Sequence, residues 1–232
     1  MQHGGHGQVA KMVIMKEFKA IFFDMDGVLY DSMPNHEYTW CESFKAHGIE
    51  FRPEEAYINE GRTGRGTINL VIRRLYGRDA TEEEVEKIYG YKTELMRQRP
   101  AAPKMNKMTE LVALLRSRGV RVMVVTGSKQ PTLIDKLHAD YGFEREDIVS
   151  GADVRIGKPD PEPYEMALRR TGLKAEECAV VENAPMGVQS AKAAGLYTIA
   201  VNTGKLDDHY LTDERCDELY ASTVDLYESF RR

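Results

Sequence analysis

The sequence has few cysteines, no long apolar run and no block of basic residues, and each absence excludes a class of protein. Cys41, Cys178 and Cys216 are widely spaced and form no Cys-x-x-Cys pair, which favours reduced thiols and a cytoplasmic location over a disulfide framework. No stretch approaches the ~20 apolar residues of a membrane helix, so we expect no membrane partner. The net charge of −5 without a basic cluster argues against a nucleic-acid partner.

What the sequence does have is enough apolar material for one sizeable core and a small accessory domain. The chain contains 232 residues, 42% of them hydrophobic, which fits one domain with an insertion. Residues 1–15 hold histidines and glycines but no apolar core of a signal peptide, and we predict a disordered leader there. We expect a small soluble ligand and a monomer or weak homodimer.

The most informative stretch is an apolar run that ends in two aspartates and a glycine. Residues 20–23 are short, apolar and uninterrupted, which is typical of a strand buried on both faces of a parallel sheet. Asp24 and Asp26 follow at the carboxyl edge of that strand, where ligands bind in open α/β sheets. Two acids so close repel each other unless a cation binds or one of them holds a proton. A calcium loop is excluded, because Val28 and Tyr30 occupy positions that would need ligands.

The pattern changes to helical periodicity between residues 33 and 103. Histidine and aromatic residues recur at helical spacing from residue 36 to 44, and Thr81 opens a capping box. No alternating β-branched run appears, so we predict an insert of about four helices. Residues 61–66 form a glycine-rich turn with two arginines but lack the Gly-Lys-Ser/Thr ending of a P-loop. This turn is either a cationic element facing the active site or a plain solvated turn.

Further buried strands that end in polar residues are predicted after the insert. A helix is predicted over residues 105–119, followed by a strand over 120–125. That strand leads into Thr126, Gly127 and Ser128, whose hydroxyl and backbone amides can hold phosphate oxygens at the start of a helix.

Two more polar groups follow the next strands. Residues 148–149 form a short strand, and Lys158 comes after it in a segment stiffened by prolines. Residues 179–181 form another buried strand that ends in Glu182 and Asn183. Carboxylate and amide oxygens suit a hard cation, whereas the lysine and the Thr-Gly turn suit an anion. A cation beside a divalent oxyanion is the arrangement of phosphoryl transfer.

With these four motifs in order, the chain resembles the haloacid dehalogenase superfamily, in its helical-cap subgroup of phosphatases and phosphomutases. The motifs frame nearly the whole chain from residue 16 onward. The resemblance implies an α/β fold with a Rossmann-like three-layer core and a parallel sheet, formed by residues 16–32 and 104–232. It also implies an all-helical cap over residues 33–103 and Mg2+ as the cofactor.

The resemblance assigns roles to the residues that match the motifs. Asp24 would be the nucleophile that forms an aspartyl-phosphate, and Asp26 the general acid and base. Thr126 would bind the transferred phosphoryl group and Lys158 would neutralise it. The implied magnesium ligands are Asp24, Asp26, Glu182 and Asn183, and the implied substrate-binding residues are Gly27, Gly127, Ser128, His36 and Arg65. Asn183 stands where relatives usually carry an acid, and this lost charge predicts weaker magnesium binding.

Around the cap the chain resembles beta-phosphoglucomutases. His36 stands where those enzymes place a histidine that hydrogen-bonds the catalytic acid, although a histidine there can also simply pack against the core. Arg65 matches, with looser alignment, the cap arginine that holds a phosphate in those enzymes. The spacing does not settle whether Lys92 matches a further residue of their cap. We predict hydrolysis of a small phosphomonoester such as a sugar phosphate. The alternatives are a mutase interconverting beta-glucose 1-phosphate and glucose 6-phosphate, and a non-catalytic protein that binds phosphate ligands.

Overall fold

The chain forms one parallel sheet flanked by helices, with a block of four helices inserted after the first strand. The computed structural model describes residues 17–129 and 132–231, so the predicted leader, residues 1–15, lies outside it. These ranges contain six strands: β1 (Ala20–Phe23), β2 (Arg121–Val125), β3 (Ile148–Val149), β4 (Cys178–Glu182), β5 (Tyr197–Val201) and β6 (Glu218–Tyr220). They contain ten α-helices: α1 (Met33–Ala46), α2 (Pro53–Ile58), α3 (Gly64–Tyr76), α4 (Glu82–Arg97), α5 (Met108–Ser117), α6 (Thr132–Tyr141), α7 (Glu162–Thr171), α8 (Pro185–Ala193), α9 (His209–Thr212) and α10 (Thr223–Arg231).

The six strands are all parallel and have the order β3-β2-β1-β4-β5-β6. Strand β1 is central, and its first residue, Ala20, pairs with Arg121 on one side and with Cys178 on the other. All four residues of β1 are buried, which confirms the prediction of a strand covered on both faces. The ends of β1, β2 and β4 therefore meet at one edge of the sheet.

Alternate residues of β1 point into two separate apolar layers. Ile21 and Phe23 belong to a cluster that includes side chains of α5, α6 and α10, whereas Ala20 and Phe22 pack with α7 and α8. The period of two along a strand produces this division. The result is the predicted three-layer α/β arrangement. None of the helices in the described ranges is long and apolar enough to cross a membrane.

Helix α5 and strand β2 are each slightly shorter than predicted. Helix α5 begins at Met108 rather than residue 105, because Lys107 before it adopts a left-handed backbone conformation with φ of 64°, which a right-handed helix cannot contain. Strand β2 begins at Arg121, one residue later than predicted. Both differences lie at element ends, away from the polar turn that follows Val125.

Helices α1 to α4 fill the predicted helical insert and share an apolar cluster, to which Leu206 and Tyr210 of the core also contribute. Phe44, Ile68, Ile72 and Ile88 are buried in it, and Phe44 stacks on Phe51 with 4.8 Å between ring centroids. The predicted capping box is present: the side chain of Thr81 accepts from the backbone N–H of the third helical residue, whose own carboxylate accepts from the backbone N–H of Thr81. Buried area within the insert thus stabilises the four helices together.

Asp153 anchors the loop that leads from β3 toward Lys158. One carboxylate oxygen accepts hydrogen bonds from the backbone N–H and the hydroxyl of Ser150, at 2.8 and 2.7 Å. The other pairs with Arg145 at 2.5 Å and with Arg170 at 2.8 Å. Burial opposes ionisation, but hydrogen bonds from Arg145 and Ser150 hold the pKa of Asp153 below its ordinary value.

We expect Asp153→Asn to lower the free energy of unfolding at pH 7 by about 2 kcal/mol, because hydrogen bonds to a charged group are lost. The folded-state pKa lies below the unfolded one, so this contribution is present above about pH 4 and disappears as the pH falls. Urea unfolding at pH 7 and pH 3 measures both values. The control is Asp213→Asn, at an exposed aspartate. An equal difference in the free energy of unfolding between Asp153→Asn and the wild type at both pH values would contradict this account.

Candidate active site

Asp24, Lys158 and Glu182 form one buried cluster at the carboxyl edge of the sheet. The Nζ atom of Lys158 lies 2.5 Å from Oδ1 of Asp24 and 2.6 Å from Oε1 of Glu182. It also donates to the backbone carbonyl of Val125 at 3.0 Å. Strands β1, β2 and β4 are neighbours, so the residues at their ends surround this lysine from three sides.

Burial dominates the electrostatics of this cluster. It raises the pKa of Asp24 to about 8, with the charges of Glu182 and Asp26 adding to the shift and Lys158 opposing it. Burial acts against the charge of Lys158, but Asp24 and Glu182 hold its pKa well above the ordinary value. Lys158 is therefore a cation shared between the carboxyl groups of Asp24 and Glu182.

Glu182 has both carboxylate oxygens occupied by donors. Oε1 accepts from Lys158 and, at 2.7 Å, from the hydroxyl of Tyr164. Oε2 accepts from the backbone N–H groups of Asn183 at 3.1 Å and Ala184 at 3.5 Å. A carboxylate offers about four acceptor sites, so these contacts fill it, and Glu182 holds Lys158 in position. Sequence reasoning missed Tyr164, which lies inside a helical pattern typical of core residues.

Asp26 lies beside residues at the start of α1. Its Oδ1 accepts a hydrogen bond from the hydroxyl of Ser32 at 2.5 Å, and Nε2 of His36 is 3.6 Å away. Burial opposes ionisation of Asp26, but His36, Ser32 and the charge of Lys92 bring its pKa below the ordinary value. The structure therefore brings the predicted hinge histidine to the predicted acid and base.

Lys92 is a second cation near Asp26, and it comes from helix α4 of the cap. It is buried, and its Nζ atom lies 5.4 Å from the centroid of the Trp40 ring. Burial lowers the pKa of Lys92 to about 8, with the charge of Asp26 opposing this shift. The cap thus carries an ammonium group toward the acid of the core.

The Thr126 turn lies directly beneath the glycine turn of the cap. The backbone N–H of Ser128 donates to Oγ1 of Thr126 at 3.1 Å. A Cβ atom added to Gly127 would lie 3.4 Å from the carbonyl oxygen of Gly61, and one added to Gly61 would lie 3.3 Å from Cδ of Lys158. Gly61 therefore faces the site, although the cationic turn predicted for residues 61–66 would have required the two arginines there as well.

Arg65 is not brought together with the other candidates. Its guanidinium forms two hydrogen bonds with Glu82, at 2.6 and 2.5 Å, on the exposed side of the cap. Helix α3 begins at Gly64, so Arg65 stands in its first turn opposite the first residue of α4. Arg62, the other arginine of the turn, is partly buried and donates to Oδ1 of Asn59 at 3.2 Å.

Gly27 makes room for the side chain of Asn183. Its φ of +80° is a conformation that favours glycine, and an added Cβ atom would lie 2.1 Å from Nδ2 of Asn183. The carbonyl oxygen of Gly27 accepts a hydrogen bond from the hydroxyl of Thr203 at 2.6 Å. The glycine of the first motif and the amide of the fourth motif are thus packed together.

Sequence reasoning also missed Glu60, a cap residue that reaches Asn183. Nδ2 of Asn183 donates to Oε2 of Glu60 at 3.1 Å. Oε1 of Glu60 and Oδ1 of Asn183 are buried and have no hydrogen-bond partner. Burial, with the charges of Asp24, Asp26 and Glu182, raises the pKa of Glu60 well above its ordinary value. In the sequence, the position of Glu60 directly before the Gly61 turn is typical of a surface acid and does not signal this contact.

The oxygen atoms at this edge of the sheet fit a hard cation. Among the described residues, no three His, Cys, Asp or Glu side chains form a ready-made metal cluster, since Lys158 ties up Asp24 and Glu182. The buried Oδ1 of Asn183 nevertheless lacks a donor and lies near carboxylates. A buried acceptor without a donor is rare in folded proteins, and Mg2+ binds carboxylate and amide oxygens of this kind.

Known proteins resemble this chain over most of its length. The sequence pattern of the haloacid dehalogenase-like hydrolases matches residues 18–195. Hexitol phosphatase A of Escherichia coli is 32% identical over 192 residues, which cover 79% of this chain and 83% of the relative. A Bacteroides vulgatus structure named as a candidate beta-phosphoglucomutase is 46% identical, with a TM-score of 0.88, and the match covers 93% of this chain and 88% of that one.

A third similar protein has a structure that contains a ligand. The structure of a CbbY variant from Rhodobacter sphaeroides in complex with xylulose-1,5-bisphosphate is 25% identical, with a TM-score of 0.69. The match covers 90% of this chain and 96% of that one. Together with the family pattern, these similarities confirm the resemblance that the four motifs indicated. The chain is therefore an enzyme of the haloacid dehalogenase-like hydrolase family.

Proposed function

We propose that the protein is a Mg2+-dependent phosphatase that hydrolyses a small phosphorylated metabolite, such as a sugar phosphate, through an aspartyl-phosphate. The observation that carries this proposal is the buried Lys158, which joins Asp24 to Glu182 beside a second acid, Asp26. The names of the relatives support it, since the protein from Escherichia coli is called a hexitol phosphatase.

Asp24 is the nucleophile of this mechanism. One of its oxygens attacks the phosphorus atom, and the bond from phosphorus to the leaving oxygen breaks as the aspartyl-phosphate forms. Lys158 favours the ionised form of Asp24, which burial opposes, and neutralises charge on the transferred group. Thr126 and the amides that follow it receive the phosphoryl oxygens.

Asp26 moves the protons. Its carboxyl group donates a proton to the leaving oxygen and then takes one from the water that attacks the aspartyl-phosphate. The negative charge of a bound phosphate favours the protonated form that the first step needs. Ser32 and His36 orient this carboxyl group, so the cap contributes to the acid and base step.

Mg2+ would be held by Asp24, Asp26 and Asn183, and when bound it supplies charge neutralisation at the transferred phosphoryl group. Because donors fill both oxygens of Glu182, we assign Glu182 to positioning Lys158. This assignment replaces the ligand role that the family resemblance implied for it.

A phosphomutase is the second candidate function. The 46% identity to the Bacteroides vulgatus protein and the approach of His36 to Asp26 favour it. In a mutase, the hydroxyl of a second sugar phosphate, rather than water, takes the phosphoryl group from Asp24. Exclusion of water by the closed cap decides between the two outcomes.

The test is a panel of sugar phosphates incubated with purified protein and Mg2+, with free phosphate as the readout and Asp24→Asn as the blank. Beta-glucose 1-phosphate with a trace of the 1,6-bisphosphate is assayed in parallel for glucose 6-phosphate. We expect free phosphate to appear without isomer. Isomer forming faster than phosphate would establish the mutase, and trapping of fluoroberyllate without any turnover would indicate a protein that only binds phosphate ligands.

A further inference from the structure

We propose that Glu60, a residue of the cap, is a ligand of the same cation that Asp24 and Asn183 bind. The bound cation then links the cap to the core. This inference rests on the proposed Mg2+-dependent function and adds a ligand from outside the four motifs. Glu60 follows α2 in the cap, whereas Asn183 follows β4 in the core. Their side chains nevertheless meet, with Oε2 of Glu60 accepting from Nδ2 of Asn183 at 3.1 Å.

Two unsatisfied oxygens define the position of the cation. Oε1 of Glu60 and Oδ1 of Asn183 are the buried side-chain oxygen or nitrogen atoms that lack a partner within the described ranges. Leaving a buried acceptor without a partner is costly, more so when it carries charge. Two such oxygens on side chains already in contact indicate one shared ligand that the protein itself does not supply.

The ammonium group of Lys158 cannot take this place. Lys158 has three N–H donors, and its three acceptors are Asp24, Glu182 and the carbonyl oxygen of Val125. It therefore has no donor left for Glu60. A hard cation satisfies carboxylate and amide oxygens together and also offsets the negative charge of the surrounding acids.

The hydrogen bond of Glu60 argues against a role as a mimic of the substrate phosphate. The predicted phosphate-binding groups are the Thr126 hydroxyl and the amides of Gly127 and Ser128, and the amide of Ser128 donates to the Thr126 hydroxyl. The hydrogen bond of Glu60 goes instead to Asn183, on the side of the fourth motif. Glu60 therefore reaches the cation side of the site.

A ligand from the cap links cation binding to cap closure. Gly61, the next residue, lies against Lys158 and Gly127. A cation bound by Glu60 therefore draws the Gly61 turn onto the catalytic groups. Because such coupling is reciprocal, closure of the cap strengthens cation binding, and this offsets the charge that Asn183 lacks compared with an acid.

The test compares Glu60→Gln with Glu54→Gln, an exposed glutamate on helix α2, in the absence of substrate. Calorimetric titration with MgCl2 measures the dissociation constant, and hydrogen exchange of residues 61–66 measures closure. We expect Glu60→Gln to weaken Mg2+ binding about tenfold or more and to abolish the Mg2+-dependent protection of the turn. Glu54→Gln should match the wild type in both measurements.

Glu60→Asp separates a ligand role from a structural one, since it keeps the charge on a shorter side chain and should recover part of the affinity. Equal Mg2+ affinity in Glu60→Gln and the wild type, or no Mg2+-dependent protection in the wild type, would overturn the inference. Phosphate release is read separately. Normal Mg2+ binding with no turnover on any phosphate ester would count against the proposed function and not against Glu60.

Discussion

Asp24→Asn should abolish phosphate release and leave the metal-free protein at least as stable as the wild type. The activity is lost because an amide cannot attack phosphorus, and we expect a fall of about ten-thousand-fold or more, as for other catalytic nucleophiles. The stability persists because Asp24 is a destabilising charge in the folded protein. Its burial raises its pKa to about 8 even with Lys158 at 2.5 Å.

The stability part of this prediction depends on how many carboxylates share the lysine. Lys158 keeps Glu182 and the carbonyl oxygen of Val125 when Asp24 becomes neutral, so no charge is left without a partner. One of the repelling acids disappears, and the free energy of unfolding should be unchanged or higher by about 1–2 kcal/mol. In such a site, the buried nucleophile that activity requires lowers the stability of the folded protein.

Phosphate release and urea unfolding in EDTA measure the two parts of this prediction. The matched control is Asp31→Asn, an exposed aspartate in the same loop, which should change neither quantity. Residual turnover within about tenfold of the wild type would show that another residue attacks the phosphate. A clear loss of stability would show that the Asp24–Lys158 pair stabilises the fold.

The sheet and its catalytic edge were predictable because buried parallel strands appear in the sequence as short, unbroken apolar runs. Residues 20–23 form an unbroken apolar run, and the structure places them at the centre of the sheet with all four side chains buried. The end of such a run marks the sheet edge. Asp24 and Lys158, at or after strand ends, were therefore identified and do meet there.

Contacts between cap and core were not predictable, because no periodicity relates them. Glu60 and Asn183 meet across 123 positions of sequence, and nothing near Glu60 marks it as more than a surface acid in a turn. The role of Arg65 remains a prediction. The resemblance to beta-phosphoglucomutases implied a phosphate-holding role for it, whereas in the structure Glu82 at the start of the next helix pairs with it.

Lys158→Met should have the opposite effect on stability from Asp24→Asn while also removing most activity. Methionine leaves Asp24 and Glu182 buried without their shared cation. Breaking a buried ion pair from one side costs about 3–5 kcal/mol. Loss of the charge that neutralises the transferred group should lower turnover by about a thousand-fold. Urea unfolding in EDTA and phosphate release measure both effects, with the exposed Lys174→Met as the control.

Combining the two substitutions shows whether Lys158 stabilises the fold through its charge or through the packing of its side chain. In the metal-free protein, Asp24→Asn should raise the stability of Lys158→Met by more than it raises that of the wild type, because only Glu182 of the two carboxylates then lacks the lysine, and Tyr164 still donates to it. The two changes touch one network, so their effects on the free energy of unfolding should not add. Additive effects would mean that Lys158 stabilises the fold by packing and not by its charge.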